Sequence, residues 1–317
     1  MHLAVIIPCL NEEATIKSVL AAIPEEIPGV DKMDVIVVDD GSTDSTVQIA
    51  EEHGASVVSH GKNLGVGAAF NTGISEAINR GCDIVVNMDG DGQFNPEDIP
   101  SLVEPILRKQ ADFVTASRFC DSSLTPEMPL IKKYGNRAMS RLISMLTRQR
   151  FYDVSCGFRA YSREALLRLN LMGQFTYTQE TFLDLAFKDL VIMEVPLEVK
   201  GEREFGSSRV AGSISRYAFN SAKIIFRTFR DYKPLQFFGI IAAAFLAASF
   251  VLGVFFLAHY FYTGHFSGHL WAGFTSGFLF SMGIVFLAVG LLADMFVRIR
   301  KNQEKLLYYQ KKKQNSK

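Results

Sequence analysis

Two stretches of this 317-residue chain contain no Asp, Glu, Lys or Arg, one from Leu235 to Tyr262 and the other from about Trp271 to Ala293. Each exceeds the roughly 20 apolar residues needed to cross a hydrocarbon core of about 30 Å. That absence excludes an ordinary soluble chain and predicts two transmembrane helices, 235–262 and 271–297, within a membrane region 234–298. Their connector, "TGHFSGHL", is long enough only for a tight hairpin. Arg227, Arg230 and Lys233 precede the first span, and Arg298, Arg300, Lys301 and Lys305 follow the second. By the positive-inside rule both ends are expected in the cytoplasm, at the cytoplasmic or endoplasmic reticulum membrane.

Cysteine is scarce. Cys9, Cys82, Cys120 and Cys156 show no CxxC spacing, which argues against a disulfide framework or a metal finger and for free thiols in a reducing compartment. No basic segment precedes the apolar pattern that begins at residue 3, so a cleaved signal peptide is not expected. No internal repeat is present. The net charge of zero hides an asymmetry, because residues 213–317 hold 13 Lys/Arg against 3 Asp/Glu while the first 212 hold 20 against 30. The basic part is expected to touch membrane lipids, the acidic part to be soluble. No nucleic-acid partner is expected, and a homo-oligomer is left open.

Up to residue 118, short β-rich runs alternate with helical patterns. "LAVIIPC", "DVIVVDD", "SVVSH", "DIVVNMD" and "DFVTASR" read as buried strands. Between them, "EEATIKSVLAAI", "DSTVQIAEEH", "VGAAFNTGISEAINR" and "PEDIPSLVEPILRK" carry apolar residues at three- and four-residue spacing. The alternation predicts an α/β domain, residues 1–212, around a mostly parallel sheet whose ligands bind beyond the carboxyl ends of the strands. Further on, "SRLISMLTRQR" looks helical, "VSCGFRAYS" reads as a strand entering a helix, and "VIMEVPLEV" as another strand. Residues 213–233 predict an amphipathic interfacial helix, with Arg216, Lys223, Arg227 and Arg230 within about 60° on a helical wheel. Arg137, Arg141 and Arg148 share another helix face, read as a solvated stripe or a headgroup contact. The basic cytoplasmic tail, 299–317, ends in "YYQKKKQNSK", expected to be disordered or to lie on anionic lipid.

Asp39, Asp40, Asp89 and Asp91 all fall at predicted strand ends on one edge. In "DGDGQFNPEDIP", Asp89 and Asp91 flank Gly90 and can aim at one hard divalent cation, Mg²⁺ or Mn²⁺, with Gln93 offering an amide oxygen. A calcium EF-hand is excluded, since its sixth position is Phe94 and its twelfth Pro100. In "VVDDGSTDST", Asp39 and Asp40 can accept from a nucleobase or ribose. "GKNLGVGAAF" is neither a P-loop nor a dinucleotide turn, because no Gly-Lys-Ser/Thr follows and Phe70 stands where a third glycine belongs. Lys62 there reaches a phosphate or merely lies in a strand-to-helix connection.

The set "VIIPCLNEE", "VVDDGSTD", "GKNLGVGAAFNTG", "DGDGQFNPEDIP", "DVSCGFRAYSREAL" and "REFGSSR" resembles family 2 glycosyltransferases of GT-A fold, in the branch that includes dolichyl-phosphate mannose synthase-like enzymes. The resemblance covers about residues 3–230, and the membrane hairpin is similar to that of bacterial members. It implies that Pro8, Asn11, Glu12 and Asp39 line a nucleotide pocket, and that Asp89, Asp91 and Gln93 hold the metal and the donor diphosphate. It further implies that Arg118 and Lys133 meet a lipid phosphate, that Arg159 belongs to the substrate site, and that Arg203 and Arg209 end a loop contacting phosphates near the membrane. Lys133 stands where arginine is usual and Arg209 where lysine is usual, so charge is kept but donor geometry is not. Glu180 matches an acidic position, as a base or a loop anchor, with a solvated helix start as its alternative.

The expected activity is inverting, metal-dependent transfer of a hexose from a UDP- or GDP-linked donor to polyprenyl (undecaprenyl or dolichyl) phosphate. A lipid phosphate is already ionised and nucleophilic, so positioning and charge neutralisation matter more than a general base. One alternative is a processive polysaccharide synthase; against it, the single tryptophan, Trp271, lies in the membrane region and no Gln-x-x-Arg-Trp motif is present. The other is a non-catalytic membrane scaffold with a degenerate transferase domain.

Overall fold

The computed structural model describes residues 1–170, 177–201, 223 and 226–314. Two compact units are distinguished, Met1–Ile225 with Leu307–Lys317, and Phe226–Leu306. The first is built on a seven-stranded sheet of order β3-β2-β1-β4-β6-β5-β7. Its strands are β1 (His2–Cys9), β2 (Lys32–Asp39), β3 (Ser56–Ser59), β4 (Ile84–Asn87), β5 (Phe113–Ser117), β6 (Arg159–Ser162) and β7 (Ile192–Pro196). All pairings are parallel except the two made by β6, which runs antiparallel between β4 and β5.

The apolar runs of β1, β4 and β5 form strands buried on both faces, as central strands between helical layers must be. On β1, Leu3, Val5 and Ile7 enter one core cluster, with Ile16, Val19 and Leu20 of α1 (Ile16–Ala21) and Leu102 and Val103 of α4 (Ile99–Leu107). Ala4 and Ile6 enter the other, with Phe70 and Ile74 of α3 (Val66–Asn79). α2 (Thr46–Glu52) connects β2 to β3, and α5 (Leu130–Thr147) lies between β5 and β6. α6 (Arg163–Arg168) follows β6, and α7 (Thr178–Phe187) precedes β7. The mostly parallel α/β sheet expected from the sequence is present, and its strand ends put the candidate residues on one edge.

In the second unit, α8 (Pro234–Thr263) and α9, which begins at Leu270 and runs to Gln314, are long and apolar enough to cross a membrane. They form an antiparallel hairpin packed through small residues. The Ser249 hydroxyl donates to the Ser276 carbonyl and the Ser276 hydroxyl to that of Ser249, both at 2.8 Å. Gly283 leaves room for Leu246, whose Cγ would lie 2.7 Å from a Cβ there. Close backbone approach through Gly and Ser is how apolar helices associate without a hydrophobic driving force.

Of the two alternatives for the tail, disorder or lying on anionic lipid, its described residues do not show the first. Far from being disordered, 307–314 continue α9 as helix. Tyr308 donates to Glu164 at 3.0 Å, and the Lys311 ammonium reaches the Leu169 carbonyl at 3.0 Å and Asn170 Oδ1 at 3.2 Å. Polar anchors on α6 and the segment after it supply the ordering that composition alone does not reveal. Of the predicted interfacial helix, residue 223 and residues 226–232 are helical; the remainder lies outside the described residues.

Candidate active site

Beyond the carboxyl edge of β1, Asn11 takes a left-handed backbone conformation, φ 51°, which asparagine tolerates better than most residues. Its amide donates to Ser42 Oγ at 2.9 Å, and its Oδ1 accepts from the Thr43 amide at 2.8 Å. The Glu12 amide donates to Thr46 Oγ1 at 2.8 Å. The loops after β1 and β2 are thus laced together by the residues of "NEE" and "GSTDST". Pro8 is half-buried near the end of β1, paired with Val38.

Asp39 and Asp40 are both buried. Asp39 accepts from the Ser42 amide at 2.8 Å and from the Ser59 hydroxyl at 2.6 Å. Burial works to raise its carboxyl, but these bonds and one from Gly41 outweigh it and hold the group below the usual carboxylate range. Asp40 organises the segment containing Lys62, accepting from His60 Nδ1 at 2.9 Å, the Leu64 amide at 2.9 Å and the Gly65 amide at 2.8 Å. Lys62 itself is exposed. Gly41, at φ 87°, passes so close to that segment that a Cβ would stand 2.7 Å from the Lys62 backbone carbon.

After β4, the Asp89–Gln93 loop lies over the end of β1. Thr15 Oγ1 donates to the Gly90 carbonyl at 2.7 Å, and a Cβ on Gly90 would stand 2.7 Å from Cys9 Sγ. That approach explains the glycine between the two carboxylates. Asp91 is buried and accepts from the Gln93 amide at 3.0 Å. A Cβ on Gly157 would lie 3.2 Å from Asp89 Oδ2. The Gln93 side chain donates through Nε2 to the Lys200 carbonyl at 3.0 Å, and the Lys200 amide returns a bond to the Gln93 carbonyl at 3.1 Å.

The Cys9 thiol lies in the field of these groups. Its pKa is pushed well above the usual value, first by burial and then by the negative charges of Glu12, Asp89, Asp39 and Asp91. Asp89, the buried Asp91 and the Gln93 amide oxygen offer only oxygen donors from one short loop, a donor set that fits a hard divalent cation. The Tyr177 phenol is likewise raised, by burial and then by Asp89; it accepts from Asn87 Nδ2 at 2.8 Å and stacks on Phe70 with ring centroids 4.1 Å apart.

Arg118 follows β5 on the same edge. Its Nε and Nη2 donate to the two carboxylate oxygens of Asp153 at 2.6 and 2.9 Å, and Nη2 also reaches Ser155 Oγ at 2.8 Å. Asp153 is wholly buried. Burial raises its carboxyl, but the Arg118 charge and hydrogen bonds win and hold it low. The Tyr152 and Asp153 amides donate to Glu194 of β7 at 2.8 and 2.7 Å. Sequence reasoning missed Asp153 and Glu194; the signal was available only for Asp153, whose position in "DVSCGFR" marks a buried acid ahead of a strand.

Arg159 requires a correction. Expected in the substrate site, it is wholly buried at the start of β6. Its guanidinium donates to the carbonyls of Cys156, Thr178 and Val154 at 2.7, 3.0 and 3.2 Å, among the rings of Phe113, Tyr177 and Phe182. Lys133 is half-buried in the first turn of α5, and Glu180 stands in the first turn of α7. Arg203 and Arg209 lie outside the described residues.

A mixed sheet with an acidic strand-end edge, a two-carboxylate loop and a cation on the same rim is the arrangement of a glycosyltransferase of the GT-A type. The family model for glycosyl transferase family 2 matches residues 4–169, and the chain belongs to that family. It is 33% identical over 213 residues to a UDP-N-acetylglucosamine–dolichyl-phosphate N-acetylglucosaminyltransferase of Methanococcus voltae, covering 61% of this chain and 83% of that one. It is 30% identical over 223 residues to an undecaprenyl-phosphate mannosyltransferase of Micrococcus luteus, covering 68% and 89%. Among solved structures, glucosyl-3-phosphoglycerate synthase of Mycobacterium tuberculosis, in complex with Mn²⁺, UDP and glucosyl-3-phosphoglycerate, matches with TM-score 0.55 and 27% identity over 73% of this chain and 79% of that one.

Proposed function

We propose that this glycosyltransferase moves a hexose, with inversion, from a nucleotide diphosphate sugar to the phosphate of a polyprenyl phosphate at the cytoplasmic face of a membrane. The observation that carries this reading is the placement of Glu12, Asp39, Asp89 and Asp91 beyond the carboxyl ends of the parallel strands β1, β2 and β4, on the edge that also carries Arg118 after β5. The names of the two relatives, one acting on dolichyl phosphate and one on undecaprenyl phosphate, support the acceptor class.

In this reading Asn11, Glu12 and Asp39, with Pro8 beside them, receive the nucleoside. Asp40 acts by holding the segment that presents Lys62. Asp89 and Asp91 would hold Mg²⁺ or Mn²⁺, which supplies charge neutralisation for the departing diphosphate. Gln93 has its amide nitrogen on Lys200, so its oxygen is what it can offer the ion. Arg118 and Lys133, with Arg203 and Arg209, bind and orient the acceptor phosphate, whose own oxygen is the nucleophile. On α5, Leu130, Tyr134 and Met145 are 65–72% exposed and share a face with Arg137 and Arg141. This mixture suits a headgroup layer better than bulk water, and supports membrane association beside the two apolar helices.

The test is transfer of label from a panel of UDP- and GDP-hexoses to undecaprenyl or dolichyl phosphate in detergent, with and without Mg²⁺ or Mn²⁺, for the native chain and Asp91→Asn. A lipid-soluble product made from one donor, only with metal and only by the native chain, is expected. Nucleotide binding without any lipid product would sink the acceptor assignment.

A further inference from the structure

We infer that His2, Asp34 and Cys82 form a second metal site, for a divalent cation of the zinc class, at the strand edge opposite the carboxylate cluster. The three residues are far apart in sequence, and the sheet brings them together. β1 and β2 run parallel with Ala4 beside Asp34, and β4 begins beside Leu3, which places Cys82 next to His2. His2 is held at both backbone groups, its carbonyl accepting from the Asp83 amide at 2.7 Å and its amide donating to Asp83 Oδ2 at 2.9 Å. The Cys82 carbonyl is fixed in turn by Arg163 Nη1 at 3.0 Å.

On this framework one atom, His2 Nε2, lies 3.1 Å from Asp34 Oδ2 and 3.6 Å from Cys82 Sγ. An imidazole nitrogen carries either a proton or a lone pair. With a proton it serves Asp34 and offers the thiol nothing to donate to; with a lone pair it accepts from the thiol and faces the carboxylate unfavourably. A cation in place of that proton satisfies nitrogen, oxygen and sulfur together. Tetrahedral coordination with Zn–N of about 2.0–2.1 Å, Zn–O of about 2.0–2.2 Å and Zn–S of about 2.3 Å sets N···O near about 3.4 Å and N···S near about 3.6 Å. The observed spacings lie close to both, and all three ligand atoms fall within 4.8 Å of one another.

The donor set decides the class of ion. Imidazole, thiolate and one carboxylate select a borderline-soft cation over Mg²⁺ or Ca²⁺, which separates this site from the all-oxygen one at Asp89 and Asp91. Two cations also face Asp34. Lys32 Nζ lies 3.4 Å from the other carboxylate oxygen, and Arg80 Nη1 lies 3.9 Å from Oδ2. Arg80 has its own partners, Glu76 at 2.8 Å and Ser56 at 3.1 Å, so an incoming ion displaces only its outer contact. Binding exchanges the thiol proton, released to solvent, for a sulfur–metal bond and changes no oxidation state.

The probe is Co²⁺ added to the full chain in detergent, read by the thiolate-to-cobalt charge-transfer absorption and its displacement by Zn²⁺. A saturable band is expected, intact in Cys9→Ser and Asp91→Asn and lost in Cys82→Ser. His2→Gln and Asp34→Asn leave the buried thiol in place and are expected to weaken cobalt binding on the order of tenfold or more. Absence of the band in the native chain, its survival in Cys82→Ser, or unchanged affinity in both His2→Gln and Asp34→Asn would overturn the site.

Discussion

The Arg118 guanidinium and the Asp153 carboxylate meet edge to edge, two parallel N–H···O bonds of 2.6 and 2.9 Å joining the end of β5 to the segment that enters β6. Asp153 takes the Nε–Nη2 edge, and Ser155 adds a contact to the same Nη2, so the plane of the guanidinium is set by the protein itself. Bidentate pairing gives direction as well as attraction.

Replacing Asp153 by Asn is therefore expected to leave nucleotide binding intact and to raise the KM for the polyprenyl phosphate about tenfold, a directional loss comparable to one charge-assisted hydrogen bond of about 1.5 kcal/mol. The same variant leaves the Arg118 charge without its buried partner and should cost about 3–5 kcal/mol of stability. Steady-state kinetics with varied acceptor, beside a thermal melt, check both. An unchanged acceptor KM would leave Arg118 a structural cation.

The two neighbouring acids predict opposite responses to pH. The Asp153 carboxyl is held low, so its stabilisation is complete above the unfolded value of about 3.9 and is lost as pH falls through the folded value. Burial pushes the Glu194 carboxyl up despite the amides of Tyr152 and Asp153 and the Ser117 hydroxyl. The native state then holds that proton more tightly, and stability declines as pH rises from about 4.3 through the raised value. Melting temperatures between pH 3 and 8, values chosen to bracket about 3.9–4.3, should lose the acid limb in Asp153→Asn and the declining limb in Glu194→Gln.

Gly90→Ala forces a methyl against Cys9 Sγ and should destabilise the chain by about 1–3 kcal/mol while raising the metal concentration needed for half-maximal activity. Adding Cys9→Ala removes the obstructing sulfur and is expected to restore more than half of both losses. A double variant no better than Gly90→Ala alone would show that the clash lies elsewhere.

Arg159→Met should abolish soluble expression or lower stability by more than about 3 kcal/mol, because three backbone carbonyls lose their donors in the core. Arg159→Lys keeps charge but not the planar fork, and whatever fraction folds should show an ordinary KM for acceptor. A raised acceptor KM in folded Arg159→Lys would return this residue to the substrate site.

Much of this was legible in the chain because the physics is local. Strands buried on both faces announce themselves as continuous apolar runs, and the spans as long stretches without charge. Asp39, Asp89 and Asp91 could be placed on one edge because each directly follows such a run. Arg159 was misplaced because an arginine in a motif looks the same whether it faces a ligand or three carbonyls. The clasp of Arg118 by Asp153, the support from Glu194 and the meeting of His2, Asp34 and Cys82 depend on strand order, which alternation alone does not determine. The helical tail was hidden because its ordering depends on the partners that Tyr308 and Lys311 find in Glu164, Leu169 and Asn170, which the tail's own composition does not show.

Because β6 runs antiparallel between β4 and β5, the chain both leaves and re-enters the sheet on the ligand edge, departing at Arg118 and returning at Asp153. Residues 119–152 are thereby an excursion closed at its neck by a salt bridge, with α5 inside it. The excursion is joined to the domain at this neck and through Ile143 and Phe151, which are buried in the core cluster that includes Phe113 and Phe182, so an exchanged excursion has to keep those two apolar positions as well as the neck pair. Grafting 119–152 between relatives, with the neck pair and both apolar positions kept, is the natural unit for redirecting this enzyme.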